Sequence, residues 1–103
     1  MQRYLIERNI PDIGAADAIR LRNAAKKSNE VLRQLGSDIQ WVESYIAGDK
    51  LFCVYLAANE DLIRKHSEMS GFPATKIHKI SLKIDPTVAS ASIVGPIPIG
   101  HTP

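Results

Sequence analysis

Several features that would quickly assign a protein class are scarce or missing in this sequence. The chain contains one cysteine, Cys53, which excludes a framework of internal disulfides and makes a reducing compartment the simpler expectation. No stretch approaches the ~20 consecutive apolar residues of a membrane span. Arg3, Glu7 and Arg8 interrupt the first apolar residues, so no signal peptide is expected. We therefore expect a cytoplasmic protein.

An excess of charge of one sign is also missing. The formal net charge is +2, and the lysines and arginines are scattered along the chain. A nucleic-acid or anionic membrane partner normally requires a basic stripe or patch. The aromatic RNP1 signature of sheet-based RNA binders is absent as well. We therefore expect neither nucleic acid nor a membrane as a partner.

What is present is the composition of an ordinary globular domain. The chain has 103 residues, of which 45% are hydrophobic and 23% are charged, enough for one core but not for two domains. We assign residues 1–86 to this domain and residues 87–103 to an extended C-terminal arm. The apolar residues Ile93, Val94, Ile97 and Ile99 suggest that the arm packs on something, with a partner subunit as one candidate.

The periodicity of apolar residues predicts six elements before the arm. Alternation predicts strands over residues 3–9, 39–46, 51–57 and 77–84, and three- and four-residue spacing predicts helices over residues 15–35 and 60–70. Gly36, Asn59 and Gly71 stand where helix stop and start signals are expected. The order strand, helix, strand, strand, helix, strand is the split βαβ pattern. We therefore predict an α+β, ferredoxin-like βαββαβ sandwich, with two helices on one face of a four-stranded antiparallel sheet.

Alternation along each strand separates the residues that should face the helices from those on the open face of the sheet. We expect Tyr4, Ile6, Val42, Ile46, Phe52, Val54, Leu56, Ile80, Leu82 and Ile84 to face the helices. The open face should then carry Leu5, Glu7, Trp41, Glu43, Tyr45, Leu51, Cys53, Tyr55, Lys79, Ser81 and Lys83. An aromatic patch on so small a chain usually contacts another molecule. A homodimer packed sheet to sheet, as in dimeric α/β barrels, is the direct explanation.

The open face should also carry groups that bind transition metals. Carboxylate, thiolate and imidazole are suitable ligands, and Glu7, Glu43, Cys53 and His66 are the candidates that we assign to a metal site, with His78 as a further one. No CxxC or HExxH motif is present, so the fold would have to build such a site across strands and across subunits.

Other interpretations of the same residues stay open. An enzyme or binding protein for a small organic molecule would use Trp41, Tyr45 and Tyr55 as ligand contacts. Cys53 could be a small buried hydrophobe, a metal ligand or a nucleophile with His66 as its base. A third interpretation is that the face only holds a dimer together. The sequence does not decide whether the chain is an enzyme.

Six short segments resemble a small bacterial domain-of-unknown-function family with a ferredoxin-like fold, some of whose members are described as nickel-binding. The resemblance covers residues 3–86. The segments are Tyr-Leu-Ile-Glu-Arg at 4–8, Ser-Asn-Glu-Val-Leu at 28–32, Ile-Gln-Trp-Val-Glu-Ser-Tyr at 39–45, Asp-Lys-Leu-Phe-Cys-Val-Tyr at 49–55, Ile-Arg-Lys-His at 63–66 and Gly-Phe-Pro-Ala at 71–74.

This resemblance implies a dimeric α/β sandwich with nickel as the candidate metal. The motif positions that recur here are Glu7, Trp41, Ser44, Tyr45, Cys53, Tyr55 and His66. In related sequences a histidine precedes the Ser-Tyr pair, whereas this chain has Glu43 at that position. A glutamate there would supply an oxygen ligand in place of a nitrogen and alter the metal preference.

Overall fold

The computed structural model describes residues 1–90 of the chain. Its elements are β1 (Gln2–Asn9), a short 3-10 helix (Ile13–Ala15), α1 (Ala18–Leu35), β2 (Ile39–Ala47), β3 (Lys50–Ala57), α2 (Glu60–Ser70), β4 (Lys76–Lys79) and a second 3-10 helix (Pro86–Ser90). The start of the predicted extended arm is therefore a 3-10 turn. The rest of the arm, including the apolar residues from Ile93 to Ile99, lies outside the described residues.

The four strands form one antiparallel sheet in the order β2-β3-β1-β4. Both helices cover the same face, where Ile63 of α2 and Val31 of α1 are buried with Tyr4 and Ile6 of β1. The predicted α+β ferredoxin-like arrangement is thus confirmed. Among the described residues, no helix combines the length and apolar character needed to cross a membrane.

Local signals set the helix ends. The side chain of Asp17 accepts a hydrogen bond from the Arg20 backbone N–H at 2.8 Å, which starts α1 three residues later than predicted. Asn59 does the same for α2, accepting from Leu62 N–H at 3.0 Å. Gly36 and Gly71 end the two helices with φ of +88° and +80°, a region that favours glycine. The helix ends predicted at Gly36, Asn59 and Gly71 are therefore confirmed.

The predicted assignment of β3 to the two faces was wrong. In the register, Tyr55 pairs with Tyr4 and Cys53 pairs with Ile6, so Cys53 and Tyr55 face the helices, where both are buried. Phe52, Val54 and Leu56, predicted to lie inside, occupy the open face with Leu5 and Glu7. The more hydrophobic side of β3 therefore faces outward. Its other side, with Cys53 and Tyr55, packs among the buried polar side chains of Arg8, Ser28 and His66.

A β-bulge at Val42 changes the faces within β2. The register is interrupted between Trp41 and Glu43, so that Trp41 and Ser44, three residues apart, share the helix side. Trp41 was predicted on the open face and Val42 on the helix side, and both assignments were wrong. Val42 is 46% exposed. Beyond the bulge, Glu43 and Tyr45 lie on the open face, as predicted.

The fourth strand is shorter than expected, because it ends at Lys79 rather than at Ile84. Lys79 pairs with Tyr4 and so lies on the helix side, opposite to its prediction. The Ile80 N–H donates to Arg3 C=O at 2.8 Å, which continues the register and puts Ile80 on the open face. Leu82 and Ile84 were predicted to face inward but are exposed.

Ile6, which has no exposed surface, provides a test of this core. Replacing Ile6 by Ala should lower the free energy of unfolding by about 2–5 kcal/mol, since the substitution removes a buried side chain and leaves a cavity. Ile19→Ala is the matched control, because Ile19 is 65% exposed on α1, and its effect should stay within about 0.5 kcal/mol. Urea unfolding measures both, and equal losses would contradict the arrangement.

Candidate functional site

Arg8 is a fully buried arginine at the end of β1, with 1% of its surface exposed. It faces the helix side, two residues after Ile6. Its Nη1 donates to Ser67 Oγ at 2.9 Å and to the backbone C=O of Phe72 and Pro73 at 3.2 and 3.0 Å. These bonds tie β1 to the end of α2 and to the loop that follows it. The second nitrogen, Nη2, is buried and has no hydrogen-bond partner among the described residues.

No carboxylate balances the charge of this guanidinium in the part of the chain that the structure describes. The salt bridges there join Lys50 to Glu7 and Arg64 to Glu60. Residues 91–103 contain no Asp or Glu. A buried charge without a partner is costly, so Arg8 is the electrostatic feature of the interior that most needs an explanation.

A series of contacts links the guanidinium to three further side chains. The Arg8 Cζ lies 5.9 Å from the centroid of the Tyr55 ring, within cation–π range. The His66 ring lies against Tyr55, with their centroids 5.2 Å apart. His66 Nε2 and Ser28 Oγ form a hydrogen bond at 3.1 Å, while His66 Nδ1 is buried and has no partner within the described part of the chain. Arg8, Ser28, Tyr55 and His66, which we call the inner polar cluster, connect both helices to the sheet.

The protonation states within the inner polar cluster follow from burial. Desolvation lowers the pKa of His66 to about 4, and the positive charge of Arg8 acts in the same direction. The imidazole is therefore neutral at pH 7. Desolvation also raises the pKa of the Tyr55 phenol, although Ser28 and Arg8 oppose it. Neither ring supplies a negative charge to Arg8.

A partly open cavity of about 360 Å³ lies between α1, the sheet and the loop after α2. Apolar side chains form most of its wall, and Arg8, Ser28, Ser44 and Tyr55 supply polar atoms. The full lining is Arg8, Ile10, Ile13, Arg20, Leu21, Ala24, Ala25, Ser28, Trp41, Ser44, Ile46, Leu51, Cys53, Tyr55, Gly71, Phe72 and Pro73. Cavities of this size and character hold small organic ligands in many proteins.

Incomplete packing of α1 creates this cavity. The sequence predicts a buried stripe of Ala18, Leu21, Ala25, Ser28, Leu32 and Leu35 along the helix. In the structure only Ser28 of that stripe is buried, together with Val31. Ala18 and Leu21 are exposed and Ala25 is half-buried. The first half of α1 therefore stands away from the sheet.

The loop before α1 closes one end of the cavity against the β2–β3 turn. The Ile10 N–H donates to the Asp49 C=O at 3.0 Å. Gly14 packs so closely on the turn that a Cβ there would lie 2.5 Å from the Gly48 carbonyl oxygen. On the wall, the Trp41 Nε1–H donates to Ser44 Oγ at 2.8 Å, a contact that depends on the bulge at Val42.

The opposite, open face of the sheet carries a second set of functional groups. One row across the strands reads Glu43, Val54, Leu5 and His78. The next row reads Tyr45, Phe52, Glu7 and Lys76. The centre of this face is apolar, its β2 edge is acidic, and its β4 edge carries lysine and histidine. Tyr45 is 58% exposed there.

The four predicted metal ligands are divided between the two faces. Glu7 and Glu43 lie on the open face, whereas Cys53 and His66 lie on the helix side, so the structure does not bring the four together. Even Glu7 and Glu43 are separated by β3, which places their strands roughly 10 Å apart. Among residues 1–90 no three His, Cys, Asp or Glu side chains converge on a metal position.

The predicted organic-ligand contacts are divided in the same way. Trp41 and Tyr55 line the cavity, while Tyr45 lies on the other side of the sheet. Cys53 is a buried cavity residue, consistent with its interpretation as a small hydrophobe. Sequence reasoning missed Arg8 and Ser28. The signal for Arg8 was its place in the alternating series Tyr4, Ile6, Arg8, which puts an arginine on the face with two core residues.

Comparisons with known proteins agree with this architecture. A model of the family described as nickel responsive protein SCO4226-like matches residues 4–80, about three quarters of the chain. The chain belongs to this family. The crystal structure of SCO4226 from Streptomyces coelicolor A3(2) is similar in fold, with a TM-score of 0.66 and 15% identity over 80% of this chain and 99% of that one. No curated protein matches the chain.

The neutral state of His66 in this SCO4226-like protein is measurable by NMR. Its imidazole should titrate near pH 4, and a midpoint above 6 would contradict its burial beside Arg8. The unfolded chain takes up this proton near pH 6.5, above the folded value. The free energy of unfolding should therefore fall as the pH is lowered from about 6.5 to about 4, by up to roughly 3 kcal/mol.

Urea unfolding at several pH values tests the same assignment through stability. Between pH 7 and pH 5, His66→Gln should show a weaker dependence of unfolding free energy on pH than the parent protein. Its absolute stability should also fall, because Ser28 loses its imidazole partner. An unchanged slope would show that another group carries the pH dependence.

Proposed function

We propose that this protein binds nickel between two copies of itself, with Glu43 of one chain and His78 of the other as ligands. The row Glu43, Val54, Leu5 and His78 on the open face carries the proposal. Within one chain, the acid and the imidazole lie on opposite edge strands, three strand spacings or roughly 14 Å apart. They become neighbours only when a second sheet covers the first.

Symmetry makes this row complementary to itself. A twofold axis parallel to the strands, above the middle of the sheet, reverses the strand order of the second copy. Glu43 then lies opposite His78 of the partner subunit, and Val54 lies opposite Leu5 of the partner subunit. Sheets that pack face to face are ~10 Å apart, a gap that side chains from both sheets fill. The dimer would hold two equivalent metal positions.

The charge and exposure of the open face support a second copy of the chain as its partner. An apolar centre of Leu5, Phe52, Val54 and Leu56 remains half-exposed in the single chain. Monomeric proteins seldom leave such patches uncovered. The acidic β2 edge and the basic β4 edge attract each other in the reversed arrangement, whereas like edges would meet if β2 lay over β2.

The donor atoms and the family description favour nickel. Imidazole nitrogen and carboxylate oxygen both suit divalent transition metals, and geometry and availability rather than affinity alone determine which one binds. The family is described as nickel responsive. Glu7, one row away from Glu43, is a second carboxylate on this face, although Lys50 pairs with it at 3.5 Å. In this arrangement Cys53 and His66 serve the interior and not the metal.

Complementation between two defective variants tests the shared site. Glu43→Gln and His78→Gln should each abolish stoichiometric nickel binding, measured by calorimetry on untagged protein. An equimolar mixture, unfolded and refolded together, should recover binding, because each mixed dimer pairs an intact Glu43 with an intact His78. Mixed dimers have one intact position out of two and form half of the population, so about a quarter of the original capacity should return.

Glu68→Gln is the matched control, because Glu68 is an exposed carboxylate on α2, and nickel binding should survive it. Mixtures that recover nothing would assign the ligands to a single chain or to other residues. Binding that persists in both single variants would contradict the ligand set.

The dimer itself has a separate test. Val54→Asp places a charge at the centre of the open face and should convert a dimer into a folded monomer, measured by light scattering with circular dichroism as the check on folding. Ile19→Asp is the control, since Ile19 is an exposed isoleucine on α1 away from this face. A dimer that survives Val54→Asp would place the interface elsewhere.

A further inference from the structure

We propose that the cavity beneath α1 binds a small organic monoanion, with its carboxylate at Arg8 and its apolar body along the wall formed by α1. This site lies on the opposite side of the sheet from the proposed metal positions, and it is supported by different residues. Its ligand class follows from three properties of the cavity, namely its unbalanced charge, its size and its apolar wall.

The charge comes from Arg8, which is buried and has no acidic partner among residues 1–90. Nη1 carries two N–H groups and already has three acceptor oxygens within 3.2 Å, whereas Nη2 is buried and has no hydrogen-bond partner among residues 1–90. A guanidinium presents its donors in a fixed fork that matches a carboxylate. A carboxylate in the cavity would neutralise the buried charge. Nη2 has almost no accessible surface in this conformation, so side chains around it would have to move slightly for the carboxylate to accept its hydrogen bonds.

The polar atoms near Arg8 fit a monoanion. Ser28 and Tyr55 also border the cavity. The Tyr55 hydroxyl is able to donate a hydrogen bond to a carboxylate, and Ser28 Oγ is able to do so when His66 Nε2 carries the proton and donates to it. Arg20, the other cation in the lining, donates to the backbone C=O of Pro11 and Asp12 in the loop. A dianionic phosphate would be under-compensated by Arg8 alone, so a carboxylate is the better match.

The remaining wall requires an apolar ligand body. Ala24, Ala25, Leu21 and Ile13 line it on the α1 side, and Trp41 and Leu51 line it on the sheet side. The volume of about 360 Å³ lies within the range of small-molecule sites. The two alanines are important, because larger residues there would fill the space that α1 leaves above the sheet.

Octanoate is the probe that tests the proposal, and octanamide is its neutral counterpart with the same chain. Calorimetry and NMR shift perturbation on the full chain should show octanoate binding at least tenfold more tightly than octanamide. The shifted resonances should come from the cavity residues. Equal affinities would overturn the assignment of an anion, and absence of octanoate binding would overturn the site.

Two variants separate the roles of charge and space. Arg8→Met keeps the aliphatic stem and should remove the preference for octanoate over octanamide. Because this variant also loses the bonds to α2 and could unfold, Ala25→Phe provides a second test that leaves Arg8 untouched. It fills the cavity and should abolish binding of both probes in a folded protein. Undiminished octanoate binding by Ala25→Phe would contradict the location.

Arg64→Met, on the exposed side of α2, is the control for removing a positive charge, and octanoate affinity should stay unchanged. The double variant Glu43→Gln, His78→Gln should also bind octanoate normally. Failure of the nickel proposal and failure of the anion proposal are therefore distinguishable. Octanoate binding that disappears with Glu43 and His78 would contradict an independent cavity site.

Discussion

The buried guanidinium of Arg8 is the constraint on which the interior depends. Burying a charge is costly unless its donors are satisfied, and here Ser67 and the carbonyls of Phe72 and Pro73 satisfy one nitrogen, while Nη2 has no partner among residues 1–90. Those bonds join β1 to the last turn of α2 and the following loop, two segments that are far apart in sequence. They also keep a positive charge beside Tyr55 and His66, and this charge adds to the effect of burial in keeping the His66 imidazole neutral.

The sequence predicted the local features of the fold correctly, but not which face of each strand is buried. The helix stops at Gly36 and Gly71, the cap at Asn59 and the order of the elements are local signals, and they were predicted correctly. Alternation fixes which residues share a face but not which face is inside. Hydrophobicity favoured Phe52, Val54 and Leu56 for the core, yet the core holds Cys53 and Tyr55, because polar partners from three other elements meet there. No local signal marked the bulge at Val42.

The candidate sites show the limits of the sequence in a second way. Glu7, Glu43, Cys53 and His66 are suitable metal ligands by chemistry, and only the register reveals that a sheet separates them into two pairs. Trp41 and Tyr55 were predicted as contacts for an organic ligand on the open face, and the structure places both in the lining of the cavity on the helix side instead. The cavity could not have been predicted from the pattern of α1, since its apolar stripe gives no indication that the first half of the helix stands off the sheet.

One strand thus serves two sites of opposite character. In β3, Val54 lies on the face with the proposed metal positions. Its neighbours Cys53 and Tyr55 lie on the other face, where they and Arg8 line the cavity. A cation on one side and an anion on the other would attract each other across the sheet. The anion, however, would be paired with the Arg8 guanidinium, so the two charges would largely cancel and leave little net field across the sheet. Direct electrostatic coupling is therefore weak, and any strong dependence of one site on the other would have to come from movement of β3 itself.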